Sequence, residues 1–331
     1  MILVTGATGH VGNVLVRELL ARGERVRALV LPGEPRDSLD GLDVEIVEGD
    51  VLDPPSLDRA MQGVEVVYHL AGVISIFSTP DPLMERVNVE GVRNVAQAAL
   101  RAGVRRMVHA SSIHAFERLP DGVVIDESVP LVLERAAGHY DRTKAEGTRA
   151  LLQVVSEGLD AVIVCPTGVI GPYDYLGSEM GSAIEGFMRK RLELLVNGAY
   201  DFVDVRDVAN GLILACERGR TGELYILSGA RVRLPALRDL VQHIAGVRAP
   251  RLVLPVGLAM IFARAAEWFY RVAHKVPKFT SYSLRTVRDN SLFSYAKAER
   301  ELGYRPRSLY ETLVDTVRWL QSRRKRIGAR G

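Results

Sequence analysis

Tyr140 and Lys144 stand four residues apart in HYDRTKAEG. On a helix, positions i and i+4 share a face, so a phenol and an ammonium would project into one cleft. A free tyrosine titrates near roughly 10. A neighbouring ammonium favours the phenolate and draws that value toward the range of a working acid/base. Upstream, Ser111 and Ser112 end an apolar run, where a hydroxyl could steady a substrate carbonyl. Near the N-terminus, Gly6, Gly9 and Gly12 are spaced G-x-x-G-x-x-G in TGATGHVG. Such glycines permit a tight turn and close backbone approach, so that the following helix can hold a pyrophosphate at its N-terminus. A lone Y-x-x-x-K is usually a surface pair, and a glycine-rich turn can be purely structural. Their order in one chain, fingerprint first and strand-end serine between, points to hydride chemistry with a dinucleotide.

The elements that would position these residues alternate along the first half. Strand candidates are Met1–Thr5, Arg25–Val30, Val44–Glu48, Val64–Leu70, Arg106–Ser111 and Ala161–Pro166. Helical patterns cover Gly12–Arg22, Ser56–Gln62, Pro82–Arg101 and Tyr140–Glu157. Short, continuously apolar strands separated by helices imply a parallel sheet covered on both faces, with ligands at the carboxyl ends of its strands. Beyond Gly171-Pro172 the rhythm loosens. Phe202–Cys216 reads as a strand end feeding a helix, Leu224–Ser228 as a strand, Leu234–Arg271 as helix-rich and Leu309–Arg323 as a closing helix. The expected fold is α/β, a Rossmann-type doubly wound parallel sheet with a smaller, mostly helical C-terminal substrate-binding region. Residues 1–172 would form the dinucleotide domain, with 199–230 returning to it. Residues 173–198 and 231–331 would form the substrate region.

Composition narrows the function classes. The 331 residues are 47% apolar and 25% charged, with 30 Gly and 15 Pro, which excludes disordered, collagen-like and disulfide-stapled chains. The net charge of +3 sits in the tail, since QSRRKRIGARG holds five basic residues and no acidic one. The rest of the chain is slightly acidic, so no nucleic-acid partner is expected and the tail reads as solvated and frayed. Arg189-Lys190-Arg191 could meet an anionic substrate or form a solvated face. Cys165 and Cys216 lie in apolar runs, as buried free thiols of a cytoplasmic protein would. MILVTGATGH has no signal-peptide pattern. The apolar stretch Leu252–Ala273 is interrupted by charges, and its longest uncharged run is too short to span a bilayer. It suits a buried or cleft-lining helix. No His/Cys/Asp/Glu group has metal-ligand spacing, and no metal is expected.

Several residues bear on the cofactor. The second strand ends Leu29-Val30-Leu31-Pro32 without the acid that would bind the ribose 2′-hydroxyl of NAD. Nothing there would repel a 2′-phosphate, and Arg36 follows in a loop, so NADP is mildly favoured. Asp50, in Gly49-Asp50-Val51, could accept from the adenine amino group or cap the next helix. His69-Leu70-Ala71-Gly72 ends the fourth strand, where small residues would let the backbone run beneath a cofactor, or simply close the strand. His109 reads as a core histidine. His114 could face the substrate, and His139 is undetermined.

At this point the chain resembles the extended short-chain dehydrogenase/reductase family, the NAD-dependent epimerase/dehydratase superfamily. The matching elements are Thr5–Gly12, Asp50, Leu70-Ala71-Gly72, Asn88 in VNVEGVRNV, Ser112, and Tyr140 with Lys144. Pro166–Pro172, Phe202–Ala209 (FVDVRDVA) and Lys297–Pro306 (KAERELGYRP) match more loosely. The resemblance implies Tyr140 as general acid/base, Lys144 lowering its pKa and binding the nicotinamide ribose, and Ser112 polarising the substrate oxygen. Ser111 would only close the strand, and Asn88 would serve a proton relay or a helix start. It implies NAD(P) contacts at Gly6, Thr8, Gly9, His10, Val11 and Gly12, and at Arg36, Asp50 and Val51. Further contacts would come from Leu70, Ala71 and Gly72, from Tyr140 and Lys144, and from Pro166, Thr167, Gly168 and Val169.

Dehydratases of the family carry an Asp-Glu pair after the serine or threonine, where Ile113 and His114 stand here. Sugar-nucleotide epimerases have an asparagine where Gly168 stands. The Pro166–Pro172 segment looks more like the dihydroflavonol-reductase and 3β-hydroxysteroid-dehydrogenase branch. The expected activity is therefore oxidoreduction of a small ketone or secondary alcohol, and the apolar Leu252–Ala273 stretch would suit a hydrophobic one. An epimerase with transient oxidation and a non-catalytic dinucleotide sensor are the alternatives. Relatives pair as homodimers through helices represented here by Pro82–Arg101 and Tyr140–Glu157, and Gly91, Ala96, Ala98 and Ala99 would permit that packing.

Overall fold

In the computed structural model, residues 1–74, 81–133, 138–189, 192–255, 257, 259, 284 and 287–328 are described. Seven parallel strands form the main sheet: β1 (Ile2–Thr5), β2 (Val26–Val30), β3 (Glu45–Glu48), β4 (Val66–His69), β5 (Arg106–Ala110), β6 (Ala161–Pro166) and, later in the chain, β10 (Leu224–Leu227). Their order is β10-β6-β5-β4-β1-β2-β3. The order reverses between β1 and β4, which opens the ligand crevice of a doubly wound sheet at the carboxyl ends of these two strands.

Successive strand residues face opposite sides, and both sides are apolar. Val4, Val108, Val162 and Val164 pack with α1 (His10–Ala21) and α7 (Val205–Arg218) on one face. Leu3, Val67, Met107 and Ile163 pack on the other with α2 (Pro54–Ala60), α4 (Val92–Arg101) and α5 (His139–Ser156). The expected Pro82–Arg101 helix is three pieces: α3 (Pro82–Glu85), a π-helical turn (Arg86–Gly91) and α4. The π turn carries Asn88, and α5 crosses it so closely that a Cβ on Gly147 would stand 2.1 Å from the Asn88 carbonyl oxygen. Gly91, Ala96, Ala98 and Ala99, the small residues that would permit helix packing between subunits, are buried within the chain itself. Small side chains let α4 approach the sheet and α5.

The C-terminal region adds two small sheets to its helices. β7 (Gly168–Ile170), β9 (Ala199–Asp204) and β11 (Ala230–Arg233) form one, and β8 (Glu193–Val196) with β12 (Arg251–Leu254) the other. Thus the helix-rich stretch expected from Leu234 does begin as a helix, the apolar stretch Leu252–Ala273 begins as a strand rather than a helix, and most of Leu252–Ala273 lies outside the described residues, as do Lys190 and Arg191. A separate core joins Ile184 and Phe187 of α6 (Glu179–Phe187), Leu237 and Val241 of α8 (Leu234–Ala245), and Leu313 and Val317 of the last helix. That helix, α10 (Leu309–Gly328), follows the short α9 (Ala296–Leu302) and runs through most of the expected frayed tail. Arg323 donates to the carbonyls of Asp174 and Tyr175, and the exposed Arg324 to Glu185, so these basic residues tie the helix to the chain before and within α6. Among the described residues no helix is long and apolar enough to cross a membrane.

Two loosely matching sequence segments meet here. Asp204 accepts from Arg206 N at 2.8 Å and caps α7. Asp207, one turn in, accepts from both the backbone N (2.8 Å) and Nε (2.9 Å) of Arg307. Tyr304, fully buried, donates to the Ser228 carbonyl. This ties the segment after α9 to the sheet. Arg307 is a quarter exposed and keeps Asp204 at 3.8 Å, so removing Asp207 costs chiefly the hydrogen bonds it accepts. Asp207→Ala is therefore expected to lower unfolding stability by about 1–2 kcal/mol, measured as a shift in the urea midpoint.

Candidate active site

The glycine turn follows β1 directly. Gly6 has φ +67°, and a Cβ on it would lie 2.7 Å from Ala71 N at the end of β4. A Cβ on Gly12 would lie 2.0 Å from the Gly6 carbonyl oxygen. Only bare backbone fits this floor. Gly9 precedes α1 without a side-chain cap, so the first helical N–H groups are left for an anion such as a pyrophosphate. Thr5 Oγ1 accepts from Leu70 N and Ala71 N, both at 3.2 Å, and locks the two loops together. The residues present thus fit a dinucleotide. Val11 packs on the core, and His10 bonds the Pro172 carbonyl at 2.9 Å, with burial lowering its pKa.

Ser112, Tyr140 and Lys144 converge beside this floor, each less than one-tenth exposed. Ser111 is taken by Thr148 (2.7 Å) and ties β5 to α5, which leaves Ser112 to the cleft. The Ser112 hydroxyl bonds the Tyr140 phenol and favours its ionised form, but burial and the nearby Asp141 outweigh it and raise the phenol above its ordinary value. This reverses the direction expected from the i, i+4 spacing. The Lys144 ammonium lies 6.0 Å from the Tyr140 ring centroid, and burial lowers its own pKa to about 8. Gly72 opens the space above it, since a Cβ there would stand 3.4 Å from Lys144 Nζ and 3.3 Å from Asn88 Oδ1. Asn88 is bonded both ways to the Val73 backbone, at 2.9 Å each, and to Thr143.

Other residues fall where the sequence could not put them. Asp50 turns its own loop, Oδ1 accepting from Leu52 N at 2.9 Å, and Val51 is buried against Gly91. Pro166 and Thr167 end β6. Gly168 and Val169 begin β7. Arg36, expected near a 2′-phosphate, forms an exposed pair with Glu48. An acid does stand at the end of β2. Glu34 accepts from Thr8 Oγ1 at 2.5 Å and from Leu31 N at 3.1 Å. Leu31-Pro32-Gly33-Glu34 closes a turn, with Glu34 N bonded to Leu31 O and Gly33 at φ +77°. That turn carries the carboxylate back over the glycine loop. The Pro-Gly dipeptide was its sequence signal. His139 donates to the Asp81 carbonyl and accepts from Arg142. His69 and His109 stack at 5.1 Å beneath it, and burial keeps both neutral. Cys165 and Cys216 are buried on opposite faces of the sheet.

Residues 2–228 match the NAD dependent epimerase/dehydratase family. The chain belongs to that family. Sterol demethylase protein B of Methylococcus capsulatus is 36% identical, with 97% of this chain and 98% of the relative covered. The 4-hydroxy-2-methyl-3-oxo-4-farnesyl-3,4-dihydroquinoline-1-oxide ketoreductase of Stigmatella aurantiaca is 33% identical over 95% of both chains. The crystal structure of gox2253 superposes with a TM-score of 0.85 at 36% identity, covering 98% of each chain. As a member of the NAD dependent epimerase/dehydratase family with oxidoreductase relatives, the protein is an NAD(P)-dependent oxidoreductase.

The buried ammonium has a measurable signature. At pH 7 Lys144 is charged in both states but solvated only in the unfolded chain, so it costs stability. Between about pH 8 and its ordinary value of 10.5, the native state has released the proton and the unfolded state still holds it, so stability rises with pH. Lys144→Met should therefore be more stable than the native protein at pH 7, with the difference shrinking toward pH 10 in paired urea titrations.

Proposed function

We propose that this oxidoreductase interconverts a ketone and a secondary alcohol. The observation that carries the reading is the convergence of Ser112, Tyr140 and Lys144 on a glycine floor that fits a dinucleotide. Bound there, the nicotinamide would supply or accept the hydride at its C4. The substrate oxygen would accept hydrogen bonds from Ser112 Oγ and Tyr140 Oη. As hydride reaches the carbonyl carbon, that oxygen gains charge and takes the Tyr140 proton, and solvent restores it. A phenol held above its ordinary value stays protonated at neutral pH, so Tyr140 has the proton to give, while the upward shift makes it a weaker acid than a free phenol. Lys144 would hold the ribose hydroxyls over Gly72. The reverse reaction uses the same groups with the proton moving the other way. The sterol and farnesylated-ketone vocabulary of the relatives' names favours an apolar substrate.

For the cofactor, Glu34 supports NAD over NADP, against the lean drawn from the strand alone. Its carboxylate, bonded to Thr8, would accept from a ribose 2′-hydroxyl and repel a 2′-phosphate.

Calorimetric titration with NADH and NADPH in parallel tests both parts. NADH should bind at least about tenfold more tightly, as expected for ~1.4 kcal/mol of discrimination, and Glu34→Gln should narrow the gap. Tighter NADPH binding would overturn the cofactor assignment, and binding of neither would overturn the oxidoreductase reading. Tyr140→Phe should lower kcat by about 10²–10⁴-fold while leaving NADH binding intact. A lasting change in nicotinamide absorbance would separate this reaction from epimerisation, which returns its hydride.

A further inference from the structure

One backbone outlier lies behind the cofactor floor. Tyr173 has φ +68°, the one positive φ outside glycine among the described residues. A bulky side chain in that region is strained, and the strain persists only where the surroundings over-determine it. Here they do. Tyr173 lies in a strap, residues 172–175, between β7 and α6, and every carbonyl of the strap is held from outside. His10 Nε2 donates to Pro172 O at 2.9 Å, and Asn13 Nδ2 to Tyr173 O at 3.1 Å. Arg323 Nη1 donates to Asp174 O at 2.9 Å, and Nη2 to Tyr175 O at 2.7 Å. Two carbonyls are thus held by the first turn of α1 and two by one guanidinium of α10.

The side chains around the strap repeat that arrangement. The Trp319 ring of α10 stands 6.3 Å from Tyr173 and 5.4 Å, edge-on, from Tyr175. Arg323 lies over Trp319 at 5.4 Å, and Arg17 of α1 over Tyr173 at 5.0 Å. Arg17 Nη2 also donates to Ser38 O, and Ser38 Oγ to Thr8 O inside the glycine turn, both at 2.9 Å. Asn13 is fully buried, and its Nδ2 also meets the carbonyl of Gly9, the N-cap of α1, at 2.8 Å. One amide therefore joins the strap to the turn that fits a pyrophosphate. At its other side α10 belongs to the core of the C-terminal region through Leu313 and Val317.

We propose that Arg323 is a positioning residue for the dinucleotide. It holds the strap in its strained form, and the strap holds His10 and Asn13 so that the glycine turn and the first N–H groups of α1 keep one geometry. The basic run of α10 thus serves the cofactor without touching it. Donors that are already ordered bind a ligand at less entropic cost than donors that must first be ordered. Without the guanidinium, the Asp174 and Tyr175 carbonyls lose their donors, Tyr173 relaxes toward ordinary backbone angles, and Asn13 no longer fixes the turn. The inference rests on the dinucleotide site and is independent of the ketone/alcohol reading.

The test is calorimetric titration with whichever of NADH and NADPH the native protein binds more tightly. Arg323→Gln should weaken binding by about three- to tenfold and raise the cofactor KM alike, with kcat at saturating cofactor close to native. Arg324→Gln removes the same charge from the same turn, but Arg324 bonds Glu185 rather than the strap, so binding should stay native. Asn13→Ala should also weaken binding. The double variant of Asn13→Ala with Arg323→Gln should be hardly weaker than Asn13→Ala, because both act through one strap. Native affinity in Arg323→Gln, an equal loss in Arg324→Gln, or additive losses in the double variant overturn the inference. Should a urea titration show that Arg323→Gln does not fold, Arg323→Lys takes its place. A lysine can serve one of the two carbonyls, so a smaller loss is expected, and native affinity overturns the inference. Binding of neither cofactor by the native protein overturns the dinucleotide site and the inference with it.

Discussion

The contact between the glycine turn after β1 and the backbone at the end of β4 governs the rest of the site. Gly6 approaches Ala71 N so closely that no side chain fits, and Gly12 presses α1 onto the Gly6 carbonyl in the same way. Thr5 fastens the pair by accepting from Leu70 N and Ala71 N. Because α1 begins on this floor, its N-terminal N–H groups face the crevice at the reversal of strand order. The next residue along β4's exit, Gly72, then leaves bare backbone against Lys144 and Asn88. A methyl group at any of these glycines would separate the two loops and move the ammonium relative to the cofactor floor.

Burial sets the charge states around that floor. Lys144 is drawn down to about 8, Tyr140 is pushed up, and the stacked His69 and His109 are held neutral. His69 falls to about 3, with burial the larger cause and the Lys144 charge the smaller. In a low-dielectric pocket a second cation beside Lys144 would be costly, so one ammonium stands over neutral imidazoles. The Tyr140 proton is correspondingly well held, so the phenol is protonated at neutral pH but less acidic than a free one. Asp141, adjacent to Tyr140 in sequence, is compensated by Arg118 and His114 rather than by Lys144.

Family membership and local departures have distinct physical origins. The matched span, 2–228, covers the sheet and the floor, where backbone geometry leaves few alternatives. The departures lie where side chains meet the reacting end or the adenosine end. Gly168 is small because the Tyr200 ring occupies the space its Cβ would need. Glu34 reaches the glycine loop through a Pro-Gly turn rather than from the strand itself.

The parallel sheet, the glycine turn and the pairing of Tyr140 with Lys144 on one helix were legible in the sequence, because each depends on spacing over fewer than about ten residues. The continuous apolar runs of β1 and β6, buried on both faces, and the i, i+4 spacing on α5 are local consequences of backbone period. Tertiary structure alone decided what long-range neighbours do to those residues. It gave Ser111 to Thr148, paired Arg36 with Glu48, folded Glu34 back onto Thr8, and buried Gly91, Ala96, Ala98 and Ala99 within the chain itself. It also reversed the sense of the Tyr140 shift, because the desolvation of a phenol depends on every element packed around it and not on the residue one turn away. Tyr200, sixty residues beyond Tyr140 in the chain, came to bond His114 beside Tyr140 through a strand pairing whose partners no local pattern specifies. Period and turn chemistry are properties of adjacent residues, whereas partner, burial and charge state belong to the packed whole.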